Sequence, residues 1–459
     1  MASSATAQAY SYTHPSGLDG GLLGLSTSGG ITSTGPQAHP HFFSGVLTQA
    51  APAAAALIGL ADVAQTRYFQ PRPTGFRDPV VTCNGDRLRM ESFSACGGVY
   101  ARLDVLEPAL DGEVLERGTT NVDVNGPLRE ALARVGGSDP LHLAVGADEM
   151  AVTTADGAVV EKKVPLPERW LRGFAEVQVI TAGFDPRAEL KGPDAVRFLR
   201  SLPGRSRGAL WAAPAGRTLR LSSRPVPGAV CLSGPDRLRT MPPLLRFARA
   251  LRAYGPPVTA SSGPVSSVWE LELPGMRYFL TLSPEVARGF SGEGAVLDAL
   301  ATDEAAGDAD LIGALLSFEP RVDPGLLAER SGLPLDRTKA ALTQLGTSGR
   351  VGFDTAEAAF FHRELPYDAA RVAALNPRLR SARALVENRA VRFTGDDAAV
   401  VTTDGGEREV RFDGDRVTCT CPWWFDHRGG RGPCKHVLAA TIVRRDGELV
   451  AGLEAEAAR

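Results

Sequence analysis

The sequence lacks the short motifs that announce common catalytic chemistry. There is no Gly-x-x-x-x-Gly-Lys-Ser/Thr, which excludes a P-loop nucleotide hydrolase. There is no His-Glu-x-x-His, so a metalloprotease helix is excluded as well. The nearest approach to a nucleophile elbow, Gly24-Leu25-Ser26-Thr27-Ser28, lacks its second glycine. These absences predict a protein that is not an enzyme. No basic segment leads into an apolar run near the start, so no secretory signal is expected. The most apolar stretch, 46–64, is interrupted by Gln49, Pro52 and Asp62 and reads as a core or docking helix rather than a membrane span. Charge of one sign is also missing. With 50 basic and 53 acidic residues the net charge is −3, so any contact with nucleic acid must rest on local charge.

What is present reads as a chain of several globular units. At 459 residues about three domains are expected. Residues 1–41, rich in Gly, Ser, Thr and Ala, read as a flexible tail, and 42–79 as a helical docking segment with its helix over 52–68. From 80 to 290 strands and helices alternate in an α+β body. Helices predicted at 127–135, 193–202 and 243–254 each precede a hairpin, at 141–154, 209–222 and 267–283. This order is reminiscent of the helix-plus-sheet repeats of sliding clamps, an unrelated α+β topology being the alternative.

The body carries a local excess of arginine. Between 197 and 252 there are twelve arginines and a single acid, Asp236. On the predicted 243–254 helix, Arg246, Arg249 and Arg252 recur every three residues and would share one face, a surface for phosphate or for an acidic partner. Pairing with acidic segments of the same chain is the competing reading.

Residues 308–366 read as three short helices and a hairpin. Asp323 caps the second helix ahead of Pro324, and Thr338, Ala341, Leu342 and Leu345 give the third its apolar stripe. The pattern resembles a winged helix-turn-helix, which in its family places the third helix in the major groove. Six basic residues against five acidic ones across 321–363 make a poor footprint for DNA, so protein contact or scaffolding is the stronger expectation.

The most specific signal lies near the end. A helical linker over 367–390 leads to strands at 391–393, 398–403 and 409–412, and these deliver the chain to Cys419-Thr420-Cys421. After twelve residues comes Cys434-Lys435-His436. Three thiolates and an imidazole suit one tetrahedral Zn2+. Alternate strand residues share a face, which lets Cys419 and Cys421 turn toward one ion, while His436 sits in the first turn of a following helix. His427 is a less suitable substitute ligand. Thiolate ligation predicts a reducing, cytoplasmic setting, with Cys83, Cys96 and Cys231 as free thiols. The arrangement resembles the SWIM zinc finger, Cys-x-Cys followed by Cys-x-His, over about 391–450. The resemblance implies a small ββα-type module with one structural zinc that contacts DNA, RNA or other proteins. Bacterial SWIM proteins of similar layout further imply an adaptor role beside a MoxR-type ATPase and a von Willebrand A-domain protein.

Between the ligand pairs, Pro422-Trp423-Trp424-Phe425-Asp426-His427-Arg428-Gly429-Gly430-Arg431 interleaves aromatics with cations. Such a run suits nucleic-acid stacking, although a tryptophan and Phe425 would also serve as a small core. Arg428, Arg431 and Lys435 are the expected contact residues. The sequence thus predicts a multidomain α+β protein that binds zinc and nucleic acid without catalysis, or serves as a protein adaptor through the same surfaces.

Overall fold

The computed structural model describes residues 10–11, 15–69, 79–136, 139–146, 162–163, 168–206, 208–297, 304–365, 376–414 and 416–445. It is a mixed α and β structure built on an antiparallel ten-stranded sheet. In spatial order the strands are Asp185–Lys191, Ala250–Gly255, Ser267–Leu273, Met276–Leu282, Val99–Leu106, Arg87–Phe93, Val80–Cys83, Gly118–Val122, Thr27–Thr32 and Gly35–Gln37. A tight two-residue turn, Pro274-Gly275, joins the third strand of that order to the fourth. Gly275 has φ +67°, and a Cβ there would lie 2.7 Å from that of Ala109.

Ten helices accompany the sheets among the described residues: α1 (Ala50–Gln65), α2 (Gly126–Ala133), α3 (Glu168–Thr181), α4 (Gly192–Ser201), α5 (Glu304–Leu315), α6 (Pro324–Ser331), α7 (Leu335–Thr347), α8 (Pro377–Glu387), α9 (Pro422–His427) and α10 (435–445).

The central strands alternate strictly, and both faces are covered. Leu88, Met90, Leu103 and Val105 point to one side, where the alanine-rich α1 packs close. Arg89, Glu91, Arg102 and Asp104 point to the other and are equally buried. Their cover is the hairpin of Val351–Asp354 and Ala359–His362. Asp354 there takes guanidinium nitrogens of Arg89, Arg102 and Arg277 at 3.1, 2.9 and 3.1 Å. Asn84 adds donations to the carbonyls of Phe318 and His362 at 3.0 and 2.9 Å. The unit of α5, α6, α7 and this hairpin is therefore fixed to the body through its hairpin.

A second core joins the body to the C-terminal region. Trp170, Phe174 and Ala175 of α3 pack with Leu379 and Ala382 of α8 and with Leu438 and Ala439 of α10. The opposite side of α10, with Val437 and Ala440, packs on the four-stranded sheet of Val391–Gly395, Ala398–Thr403, Gly406–Asp413 and Arg416–Cys419.

Three expectations need correction. The expected flexible tail over 1–41, of which 1–9 and 12–14 lie outside the described residues, instead carries the strands Gly17–Asp19, Leu22–Leu25, Thr27–Thr32 and Gly35–Gln37, and Leu23 and Leu25 are fully buried. Their glycines serve close backbone approach: a Cβ on Gly30 would lie 2.3 Å from the Thr119 carbonyl oxygen. The segment 42–79 is not purely helical, because the strand Phe43–Leu47 precedes α1. Finally, 243–254 is no α-helix. A 3-10 turn, Pro242–Phe247, runs into the strand Ala250–Gly255, so Arg246, Arg249 and Arg252 do not share a helix face. Two prolines favour the tight turn, and Ala250–Gly255 gains full ladders to Asp185–Lys191 and Ser267–Leu273.

Candidate metal centre

The strand Arg416–Cys419 pairs with Gly406–Asp413, with Cys419 opposite Val410. The chain turns at Cys421, whose sulfur accepts the N–H of Trp424 at 3.4 Å and so caps α9, with Pro422 at the first helical position. Gly429 and Gly432, at φ +82° and +69°, bring the chain back to Cys434. The Cys434 carbonyl accepts the N–H of Leu438, and its sulfur the N–H of Val437 at 3.5 Å, which starts α10. His436 lies in that first turn.

Cys419, Cys421, Cys434 and His436 are all buried, and their ligand atoms lie within 4.8 Å of one another. His436 Nδ1 is 3.9 Å from the sulfur of Cys419 and 3.8 Å from that of Cys434. A tetrahedral zinc with ordinary bond lengths separates its ligand atoms by about 3.6 to 3.8 Å, so the four donors fit the ion. The electrostatics agree. A hydrogen bond from Cys419 and others from His436 and Cys421 draw Cys434 down as the first thiol to ionise. The hydrogen bond to Cys434 then pushes Cys419 up, and burial does the same to Cys421. Three thiolates in one buried cluster require a cation. Bound there, zinc acts as a cross-link, and four protein ligands leave no open position for a substrate or water.

The aromatic run around the site divides by role. Trp423 and Trp424 are half-buried against the finger's core, whereas Phe425, expected as a core residue, is 73% exposed. His427 stands edge-on to Trp423 at 4.3 Å, outside the ligand cluster. Arg428 is exposed, with φ +44° at the end of α9. Arg431 is turned inward. It donates to the Gly292 carbonyl at 2.9 Å and lies over the Trp423 ring at 5.0 Å. Arg378 of α8 lies over the same ring at 4.8 Å. Lys435 lines a cleft with Arg408, Asp404 and the end of α8.

A second, open groove of about 470 Å³ runs beside the ligands, formed by Arg416, Val417, Cys419, Thr420, Trp424, Phe425 and Arg428. Arg416 was missed as a candidate, and so was α9. The proline directly after Cys421 was the available signal for that helix.

The arginine block is dispersed. Arg252 is engaged by Glu189, Glu270 and Glu272 at 3.5, 2.9 and 2.6 Å. Arg197 and Arg217 share Asp194, and Arg237 is fully buried. Arg246 lies over the Phe247 ring at 4.5 Å, and both it and Arg249 are exposed without an ion pair among the described residues. Arg207 lies outside the described residues. No helix among the described residues is long and apolar enough to cross a membrane.

A comparison with curated proteins returns no match. Among solved structures, Proliferating Cellular Nuclear Antigen from Entamoeba histolytica is similar over 53% of this chain and 99% of its own, at 10% identity and a TM-score of 0.33. Likeness at that level fixes neither fold nor role. The end of the chain is different: residues 402–444 match the SWIM zinc finger family, and with Cys419, Cys421, Cys434 and His436 gathered at metal-binding distance this C-terminal region is a SWIM zinc-binding module.

Proposed function

We propose that the protein is a non-catalytic, zinc-dependent binder of nucleic acid, DNA or RNA. The groove beside the zinc ligands carries this reading. Phe425 is exposed at its rim with the Arg428 guanidinium 6.0 Å over its ring, and neither Arg428 nor Arg416 makes an ion pair among the described residues. An exposed ring beside cations suits a base stacked on the aromatic face with phosphates held nearby. Lys435 is a further contact. Arg246 and Arg249 extend the phosphate surface on the body, whereas Arg252 and Arg431 are engaged within the fold. The test is mobility shift with DNA and RNA oligonucleotides over a salt series. Steeply salt-dependent binding weakened by Phe425→Ala and Arg428→Ala is expected. No shift at low salt removes the reading.

A second reading is an adaptor. Leu311, Leu326 and Leu335, one from each of α5, α6 and α7, are exposed on the unit whose hairpin is bound to the body. Apolar side chains there suit a protein partner better than a DNA groove. A MoxR-type ATPase or a von Willebrand A-domain protein is the first partner to test. Co-purification lost on Leu326→Asp supports it, and retention of the partner by that variant counts against it.

A further inference from the structure

An open cleft of about 650 Å³, with no zinc ligand in its lining, lies where the segment after α1 meets the loop after α4 and the turn after Val230–Ser233. Arg67, Tyr68, Arg205, Asp236, Arg239 and Glu285 line it. Its polar groups are mainly donors without acceptors. The Tyr68 hydroxyl is buried and has no hydrogen-bond partner among the described residues, and the same holds for Arg67 Nε. Arg239 lies over the Tyr68 ring at 5.2 Å and donates to Thr66 Oγ1 at 2.8 Å, with no carboxylate partner among the described residues. Arg205 is exposed on the cleft and makes no ion pair among them either.

Charge adds to this. Arg237 stands beside Asp236 and is fully buried, yet its Nη1 bonds only neutral oxygens, Ser283 Oγ at 2.9 Å and the Gly98 and Glu285 carbonyls at 3.3 and 3.5 Å. Its Nε has no partner among the described residues. Burial lowers the Arg237 guanidinium to about 10, and the nearby Asp236 offsets that only in part. Of the two acids, Glu285 is held by Arg288 at 2.9 Å. Three guanidiniums on the cleft, Arg67, Arg205 and Arg239, are thus left with Asp236 as the one lining carboxylate not already paired among the described residues. Buried donors are costly unless an acceptor arrives, and the exposed Arg205 and Arg239 are placed to bring their charge to the same acceptor.

We propose that this cleft binds a phosphate group, carried either by a small phosphorylated molecule or by the end of a nucleic acid. A phosphate is acceptor-only, carries up to two charges and offers oxygens to several guanidiniums and a hydroxyl at once. This site is separate from the groove at Phe425 and does not depend on it.

The test uses the zinc-loaded full chain at low ionic strength in calorimetric titrations. The probes are inorganic phosphate, adenosine monophosphate, and a single-stranded oligonucleotide with and without a 5′-phosphate. Saturable binding to one site is expected. Tyr68→Phe, which removes only the hydroxyl, should weaken it about tenfold, the worth of one hydrogen bond. Arg67→Met and Arg239→Met should weaken it further, while Phe425→Ala leaves it unchanged. Binding of the free phosphate or nucleotide, with no gain from the 5′-phosphate, identifies a small molecule. A gain from the 5′-phosphate that Tyr68→Phe abolishes identifies a nucleic-acid end. The proposal is overturned if none of the probes binds, or if Tyr68→Phe and Arg67→Met bind as the unaltered chain does.

Discussion

Arg378 donates from Nη1 to the carbonyl oxygen of Pro433 at 3.1 Å, and so holds the residue directly before the ligand Cys434. The same nitrogen takes the Arg431 carbonyl, and Nη2 takes that of Gly292 at 3.2 Å. One side chain of α8 thereby ties the zinc loop to the body. Arg378→Met should leave the Arg431 and Pro433 carbonyls short of a donor, at about 1–3 kcal/mol each if no water replaces it, while the Gly292 carbonyl keeps Arg431. Hydrogen exchange should rise at 429–434 while zinc stoichiometry stays at one. Unchanged exchange there would show that packing of α10 on α3 and α8 alone holds the module.

Asp354 shares with Asp104 the counter-charge for a buried arginine cluster. Burial would push its carboxyl up, but Arg102, Arg277 and Arg89 hold it well below the ordinary carboxylate range. A depressed carboxyl gives stability that is present above its unfolded value and fades as pH falls. Asp354→Asn should therefore destabilise by about 3–5 kcal/mol near neutrality, because three guanidiniums lose one of the two buried carboxylates they share, Asp104 being the other, and by less in acid. Urea unfolding of the two chains at several pH values measures this.

Glu176 of α3 behaves in the opposite sense. Burial pushes its carboxyl up to about 7, against the pull of the Ala295 and Gly294 N–H groups that it accepts. A raised carboxyl gives stability that is full below its unfolded value and is lost as pH rises through about 7. Relative to the unaltered chain, Glu176→Gln should gain about 3 kcal/mol between pH 4.5 and 7.5. Zinc-loaded samples compared by urea unfolding at both pH values give the difference, and equal shifts in the two chains would rule the assignment out.

The arginines should separate by their surroundings. Arg428→Ala and Arg416→Ala should each lower the salt slope of nucleic-acid binding by about one unit. Arg246→Ala and Arg249→Ala should lower it to the extent that the body touches the same strand. Arg252→Ala should instead reduce stability with little change in the slope, since Glu270 is buried and loses its cation. Binding isotherms at four salt concentrations distinguish these outcomes.

The zinc ligands were legible in the sequence because their chemistry is carried by residue type and spacing alone. Hairpins such as Ser267–Leu273 with Met276–Leu282 were legible too, since Pro274-Gly275 specifies the turn. The 243–254 segment misled because its apolar residues fall at helical intervals, while long-range ladders decide for a strand. The glycines of 15–41 read as flexibility, although several permit backbones to touch. Helix α3 was not foreseen. Nor could the alternation of Arg89, Glu91, Arg102 and Asp104 announce a buried charged face, because the same pattern describes a solvated one. Its hairpin cover lies more than two hundred residues away, and no local signal names it.

The most direct test follows fluorescence anisotropy of a labelled single-stranded oligonucleotide with the purified chain, before and after chelation and after zinc is returned. Zinc analysis is run on the same samples and on Cys421→Ser. The expected result is one zinc per chain, binding lost when the metal is removed, binding restored by zinc, and neither metal nor binding in Cys421→Ser. Full-strength binding by metal-free protein, or no binding by the zinc-loaded chain at low salt, would contradict it.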